Sequence, residues 1–236
     1  MHNDAPCQSW TSETAHSYDL IAAEFAERWF DCPPNEALRR FVGRLTAGMR
    51  VLDVGCGPGR DLLWLSRQGV QVVGIDLSMG MLQEGRTRLR AWGANVPLVQ
   101  ADMAHLPFGK SSFDGLWVCA SLLHIPKMHV GEVLRELGRV VYPGYVYLSV
   151  KRGEGEEWVV DEAGRRRFFV YYRPAELELL LERFGFQVLE AWENEDSIGR
   201  RHRWLNVLAR AVKKLEPPHR DAAATDAAAA AAGAAA

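Results

Sequence analysis

Three acidic residues and a cluster of glycines are spaced along the first half of the chain in a pattern that suits a polar, partly cationic ligand. Asp53 stands two residues before Gly55-Cys56-Gly57-Pro58-Gly59, Asp76 ends the run VVGID roughly 20 residues after the glycines, and Asp102 is followed by Met103. Glycines at a strand end let the chain turn through conformations closed to other residues, and they let a ligand approach the backbone with no Cβ in the way. A carboxylate at Asp53 repels a pyrophosphate and attracts an ammonium. One at Asp76 can accept hydrogen bonds from both hydroxyls of an adenosine ribose. Asp102 and Met103 add an acceptor for an exocyclic amine and an apolar neighbour for a ring.

Two commoner nucleotide motifs do not fit. The dinucleotide fingerprint needs a third glycine five residues after the first, and that position is Arg60; the Walker loop needs Gly-Lys-Ser/Thr, which this region lacks. A ligand carrying an amino-acid ammonium, a ribose diol and an adenine does fit, and S-adenosylmethionine has all three. The cysteines Cys7, Cys32, Cys56 and Cys119 are irregularly spaced, with no C-x-x-C pair and no histidine grouping at zinc-ligand distance, so neither a disulfide framework nor a metal site is expected.

These residues need a scaffold that brings successive strand ends together. After Gly48 the short apolar runs VLDVG, VQVVGID, VPLVQAD, FDGLWVCA and GYVYLSVK alternate with helical patterns, the clearest being Val130, Val133, Leu134, Leu137, Val140 and Val141 on one face. Strand, helix and strand at this spacing imply right-handed parallel crossovers, and runs apolar on both faces imply a sheet covered on both sides: a doubly wound α/β fold. Upstream, Ile21, Phe25 and Trp29 predict one helix; after the Cys32-Pro33-Pro34 break, Leu38, Phe41, Val42 and Leu45 predict another. Residues 18–47 thus form a helical cap, with 1–17 expected to be loose. Phe186 to Trp192 and Trp204 to Val212 read as the strands that finish the sheet. The expected domain spans 18–215, and the Ala-rich 216–236 is expected to be disordered.

Formal charge is −2, but two of the acids are Asp221 and Asp226 in the tail; the remainder balances 28 basic against 28 acidic residues. A neutral body argues against broad electrostatic capture of nucleic acid or an anionic membrane. No basic leader precedes an apolar segment, and no apolar stretch reaches the roughly 18 residues of a membrane helix, so a cytoplasmic protein is expected.

The chain resembles the class I S-adenosylmethionine-dependent methyltransferases, specifically their type-11 group, over roughly Tyr18 to Val212. The resemblance is carried by VLDVGCGPGR, VVGIDLS, ADMAHLPF and FDGLWVCASLLHI in order. It implies a Rossmann-like, mostly parallel seven-stranded sheet with an antiparallel final strand. It also implies that Asp53, Gly55 and Gly57 hold the methionine part and Asp76 the ribose. Asp102 and Met103 would take the adenine, Leu77 would pack on the ring, Cys119 to Ser121 would line the methionine side, and Tyr18 would cover the cofactor.

His124, in SLLHIP at the edge where an acceptor would arrive, is either an acid, base or substrate contact or an ordinary loop residue. Arg165, Arg166 and Arg167, and later Arg200, Arg201 and Arg203, lie beside aromatic residues. They could grip RNA, or nearby acids could neutralise them. The expected partner is a small-molecule methyl acceptor. An RNA acceptor and a non-catalytic cofactor-binding protein are the alternatives.

Overall fold

A computed structural model describes residues 5–195 and 202–213, with side chains from residue 10. Arg200, Arg201 and the Ala-rich tail lie outside the described residues.

The sheet forms where the apolar runs predicted it: β1 (Arg50–Val54), β2 (Gln71–Asp76), β3 (Leu98–Gln100), β4 (Gly115–Cys119) and β5 (Gly144–Arg152). They pair in parallel in the order β3-β2-β1-β4-β5. The chain then closes the sheet with β8 (Phe186–Glu195) and β9 (Arg203–Ala211), β9 running antiparallel between β5 and β8. This is the expected seven-stranded arrangement. The reversal of strand order beside β1 puts the crevice at the carboxyl ends of β1 and β4.

Both faces of the sheet are covered, which is why its strands are apolar throughout. One core gathers Leu52, Leu116 and Val118 with Leu134 and Leu137 of α5 (Val130–Val141) and Leu177 and Leu181 of α6 (Pro174–Arg183). The other gathers Val51, Trp117 and Tyr147 with Phe41 of α2 (Glu36–Val42), Leu62 of α3 (Arg60–Leu65) and Leu82 of α4 (Met79–Ala91).

A hairpin of β6 (Glu156–Val160) and β7 (Arg166–Tyr172) was not expected as part of the architecture. β4 stops at Cys119, opposite Ser149, whereas β5 runs on; Lys151 and Arg152 then pair in parallel with Tyr171 and Tyr172. The hairpin therefore occupies the edge of β5 that β4 leaves vacant, above the turn Leu122–His124.

The N-terminus corrects one expectation. Residues 10–17 are not loose but part of α1 (Ala5–Trp29). Trp10 stacks on Trp158 at 5.5 Å and meets Phe168 edge-on at 4.6 Å. Thr14 Oγ1 accepts from the Phe168 amide at 3.1 Å, and Ser17 Oγ donates to the Arg166 carbonyl at 2.6 Å. Contacts from the hairpin hold a segment whose own polar sequence carries no helical period. The buried face of α1 is also turned by one residue: Ala22, Ala26 and Phe30 are buried, while Ile21, Phe25 and Trp29 are only partly covered. Small residues are needed because α4 comes very close. A Cβ built on Gly80 would stand 3.0 Å from the backbone of Asp19 and 3.2 Å from the Ala22 Cβ.

Candidate functional site

The turn after β1 is built by backbone hydrogen bonds and glycine conformations. The amides of Gly55 and Cys56 both donate to the Ile75 carbonyl at 2.8 Å, which fastens the loop to the end of β2. Gly55 has φ +77, and a Cβ there would lie 2.4 Å from the Cβ of Ser121. Ser121 in turn donates its hydroxyl proton to the Val54 carbonyl at 2.6 Å, so the loops after β1 and β4 are pressed together. Gly57 differs: its φ is +53, and nothing lies within 4 Å of where a Cβ would stand. A side chain at Gly57 would fill the crevice, whereas one at Gly55 would break the wall.

Asp76 ties this loop to the next element. Its carboxylate accepts from the Gly57 amide at 2.8 Å and from the Ser78 amide at 2.9 Å. Burial outweighs these bonds and pushes the carboxyl up to about 6. Asp53 is more deeply enclosed, 2% exposed. Burial, then the nearby Asp61, raises its pKa well above the ordinary carboxylate range. A buried carboxyl at the end of β1, just before the open glycine cradle, fits the ammonium of an amino-acid moiety, and with Asp76 next to Gly57 the set fits S-adenosylmethionine.

The other cofactor-side residues are distributed as follows. Asp102 uses one oxygen to accept from the Ala104 amide at 2.9 Å, capping its own turn. Met103 is partly buried against the core below it. Leu77 is partly exposed next to Asp76, and its carbonyl accepts from Gln100 Nε2 at 3.0 Å. Cys119 accepts from the Ser149 hydroxyl at 3.6 Å, and burial pushes its thiol up to about 12, which keeps it protonated and unreactive.

On the acceptor side the structure brings together residues from three distant segments. His124 Nδ1 lies 2.6 Å from the Phe168 carbonyl, which can only accept; Nδ1 therefore carries the proton. That leaves Nε2 as the acceptor for the Tyr18 hydroxyl at 2.9 Å. Burial lowers the imidazole pKa to about 4. His124 is neutral, and its one lone pair is occupied. Tyr18 thus meets His124, not one of the strand-end acids.

Sequence reasoning missed several supports. Asp19 accepts from the Ser78 hydroxyl at 2.6 Å and from the Gly80 amide at 2.7 Å, which locks α1 onto the start of α4. Asp61 is gripped by Arg60 through bonds of 2.7 and 2.9 Å and accepts from the Trp117 indole at 2.9 Å, anchoring α3 to β4. For Asp61, an acid in the first turn of α3, the helix start was the available signal; Asp19, in the middle of α1, carried none. The basic clusters are largely neutralised: Arg165 by Asp161, Arg166 by Glu13 and Arg203 by Glu193. A cavity of about 250 Å³ opens between Cys32, Arg60, Asp61 and Trp64. A larger one, about 560 Å³, is lined by the start of β2 and by Asn95 to Pro97, and shares Arg67 and Trp92 with the first.

Residues 51–144 match the methyltransferase domain family model. Residues 51–144, with the fold described above, thus form a methyltransferase domain of the class I, S-adenosylmethionine-dependent kind. Among its relatives, "Methyltransferase GfsG" of Streptomyces halstedii is 41% identical over 103 residues, 42% of this chain and 36% of that protein. "O-methyltransferase resE" of Aspergillus sclerotiorum is 31% identical over 177 residues, 69% of this chain and 65% of that protein. The chain therefore spans less than two thirds of the length of either. Among solved structures, the 1,6-didemethyltoxoflavin-N1-methyltransferase of Burkholderia thailandensis, with 1,6-didemethyltoxoflavin and S-adenosylhomocysteine bound, superposes with a TM-score of 0.70. It is 22% identical, over 90% of this chain and 93% of that one, which establishes a shared fold.

Proposed function

We propose that the protein transfers the methyl group of S-adenosylmethionine to a small-molecule acceptor. The observation that carries this reading is the open cradle at Gly57, whose amide is held by the buried Asp76 carboxylate and which follows the buried Asp53 at the end of β1. When bound, the cofactor supplies an electrophilic methyl on a good leaving group. The chain's own residues then have to bind, orient and exclude water. Asp53 receives the ammonium, Asp76 the ribose diol, and Asp102 with Leu77 and Met103 the adenine. α1 spans the crevice, fixed to α4 through Asp19 and to β7 through Thr14 and Ser17.

A base is not essential to this chemistry. His124 has its lone pair engaged by Tyr18 and a pKa of about 4, so alignment rather than proton removal is its contribution. Among relatives, one named a demethylmenaquinone methyltransferase supports a small acceptor, and another is named a malonyl-[acyl-carrier protein] O-methyltransferase. The free thiols of Cys32, Cys56 and Cys119 suit the cytoplasm. No helix among the described residues is long and apolar enough to cross a membrane. Isothermal titration tests the cofactor reading: S-adenosylmethionine and S-adenosylhomocysteine should bind and NAD should not. The opposite result removes it.

A further inference from the structure

The basic run in the β6–β7 hairpin divides when its partners are compared. Arg165 is held by Asp161 at 2.6 Å and Arg166 by Glu13 at 3.1 Å. Arg167 makes no ion pair among the described residues, and its Nε is buried without a hydrogen-bond partner. A guanidinium N–H taken from water with no acceptor to replace it is uncommon in a folded protein and calls for a ligand or a reason.

Its surroundings supply the reason. Alternation along β7 sets Arg167, Phe169 and Tyr171 on one face of the strand. The Arg167 guanidinium lies 5.5 Å from the centre of the Tyr18 ring and 5.7 Å from that of Phe169. The His124 ring centre is 4.8 Å from Phe169. The Lys151 ammonium stands over the same phenyl ring at 3.7 Å. The charges that bear on the His124 imidazole are Arg167 and Lys151, both positive. Glu157 accepts from the Tyr171 hydroxyl at 2.7 Å and is exposed.

We propose that Arg167 anchors the methyl acceptor, and that the acceptor is an organic acid whose anionic oxygens take the guanidinium beside the rings of Tyr18 and Phe169. This rests on reading the crevice as a methyltransferase site. A guanidinium presents a planar fork that matches a carboxylate with two hydrogen bonds. A buried guanidinium without an acceptor favours an anionic partner over an ammonium-bearing one, so the substrate class follows from Arg167.

The test uses the full chain saturated with S-adenosylhomocysteine, titrated with salicylate and 4-hydroxycinnamate and with their primary amides. The acids should bind about tenfold or more tightly than the amides. Arg167→Gln should lower acid affinity by about 10- to 100-fold and leave amide binding and S-adenosylhomocysteine affinity as they were. Arg167→Lys, which keeps the charge but not the fork, should recover part of the loss. Equal affinity for acid and amide, no binding of either acid, or an Arg167→Gln protein that binds acids normally overturns the inference. If Arg167→Gln fails to fold, the wild-type comparison of acid with amide still decides. Failure of the wild-type chain to bind S-adenosylhomocysteine removes the methyltransferase reading itself, an outcome distinct from loss of acid selectivity.

Discussion

The two halves of the crevice are built on opposite principles. The half formed by the ends of β1, β2 and β3 is acidic, carrying Asp53, Asp76 and Asp102, and its groups come from one continuous stretch of alternating strand and turn. The half formed by α1, the turn at His124 and β7 carries Lys151 and Arg167 and comes from segments as far apart as Tyr18 and Phe168, 106 and 44 residues from His124. In the acidic half, burial raises the carboxyl pKa of both Asp53 and Asp76. In the basic half, Tyr18, His124 and the Phe168 carbonyl are linked in series, while the Arg167 Nε is buried without a hydrogen-bond partner. Each half thus keeps an ionisable group that burial disfavours, a carboxylate on one side and a guanidinium on the other.

The comparison breaks most visibly at the glycines. Gly55→Ala drives a Cβ into Ser121 at 2.4 Å in a positive-φ position and should destabilise the fold by about 3–5 kcal/mol, seen as a large drop in the unfolding midpoint. Gly57→Ala meets nothing and should cost only about 1–2 kcal/mol for its backbone conformation while still weakening cofactor binding. Equal stability losses in the two variants would mean that the cradle is not open.

Asp76→Ala should weaken S-adenosylhomocysteine binding by about 1.5–3 kcal/mol, roughly 10- to 150-fold by titration, without touching acid selectivity on the other side. The same residue sets a pH signature. Its folded pKa of about 6 lies above its ordinary value of 3.8, so the folded state takes up a proton before the unfolded chain does. Its burial therefore opposes folding above pH 6, and that opposition is relieved as pH falls from about 6 towards 4. Cofactor affinity should move the other way over the same window, because the ribose hydroxyls lose an ionised acceptor; the limit is about tenfold per pH unit. Asp53→Asn sharpens the contrast further. Neutralising a carboxyl that burial pushes well above its ordinary range should raise the unfolding free energy of the ligand-free protein by about 1 kcal/mol while weakening the cofactor. A variant that loses both stability and affinity would show Asp53 to be a structural brace.

How much of this could be read from residue order follows the same division. VLDVGCGPGR and VVGID carry their own turn chemistry, so loop, strands and acids were all legible before any coordinates. Arg167 was not, because nothing local separates it from Arg165 and Arg166; only the positions of Asp161 and Glu13 in space do. The alternating aromatics of Phe168 to Tyr172 fitted a half-buried strand, but the hairpin with β6 and its place on β5 were not legible, for a related reason. EEWVV and RRFFVYY mix charges with apolar residues because the hairpin is only partly covered, and its place depends on β4 ending before β5. In α1 the helix between Tyr18 and Trp29 was legible but its buried face was not, since the close approach at Gly80 selects alanines over the larger Ile21, Phe25 and Trp29.

Tyr18 carries the smallest expected effect and the finest discrimination. If its ring covers the cofactor, losing the hydroxyl is inconsequential and losing the ring weakens S-adenosylhomocysteine. If it belongs to the acceptor wall, as its 2.9 Å bond to His124 Nε2 implies, the hydroxyl matters and the cofactor does not notice. Tyr18→Phe keeps the edge-on contacts with Phe25 and His124, at 6.0 and 5.4 Å, and removes one hydrogen bond, so stability should fall by about 1 kcal/mol. The freed Nε2 would remain neutral near pH 7, given a pKa of about 4, and would look for another donor. An acceptor bearing a hydroxyl could supply it. S-adenosylhomocysteine affinity should stay within about twofold of wild type, while the preference for salicylate over benzoate should change; a shift in cofactor affinity with no change in that preference would return Tyr18 to the cofactor side.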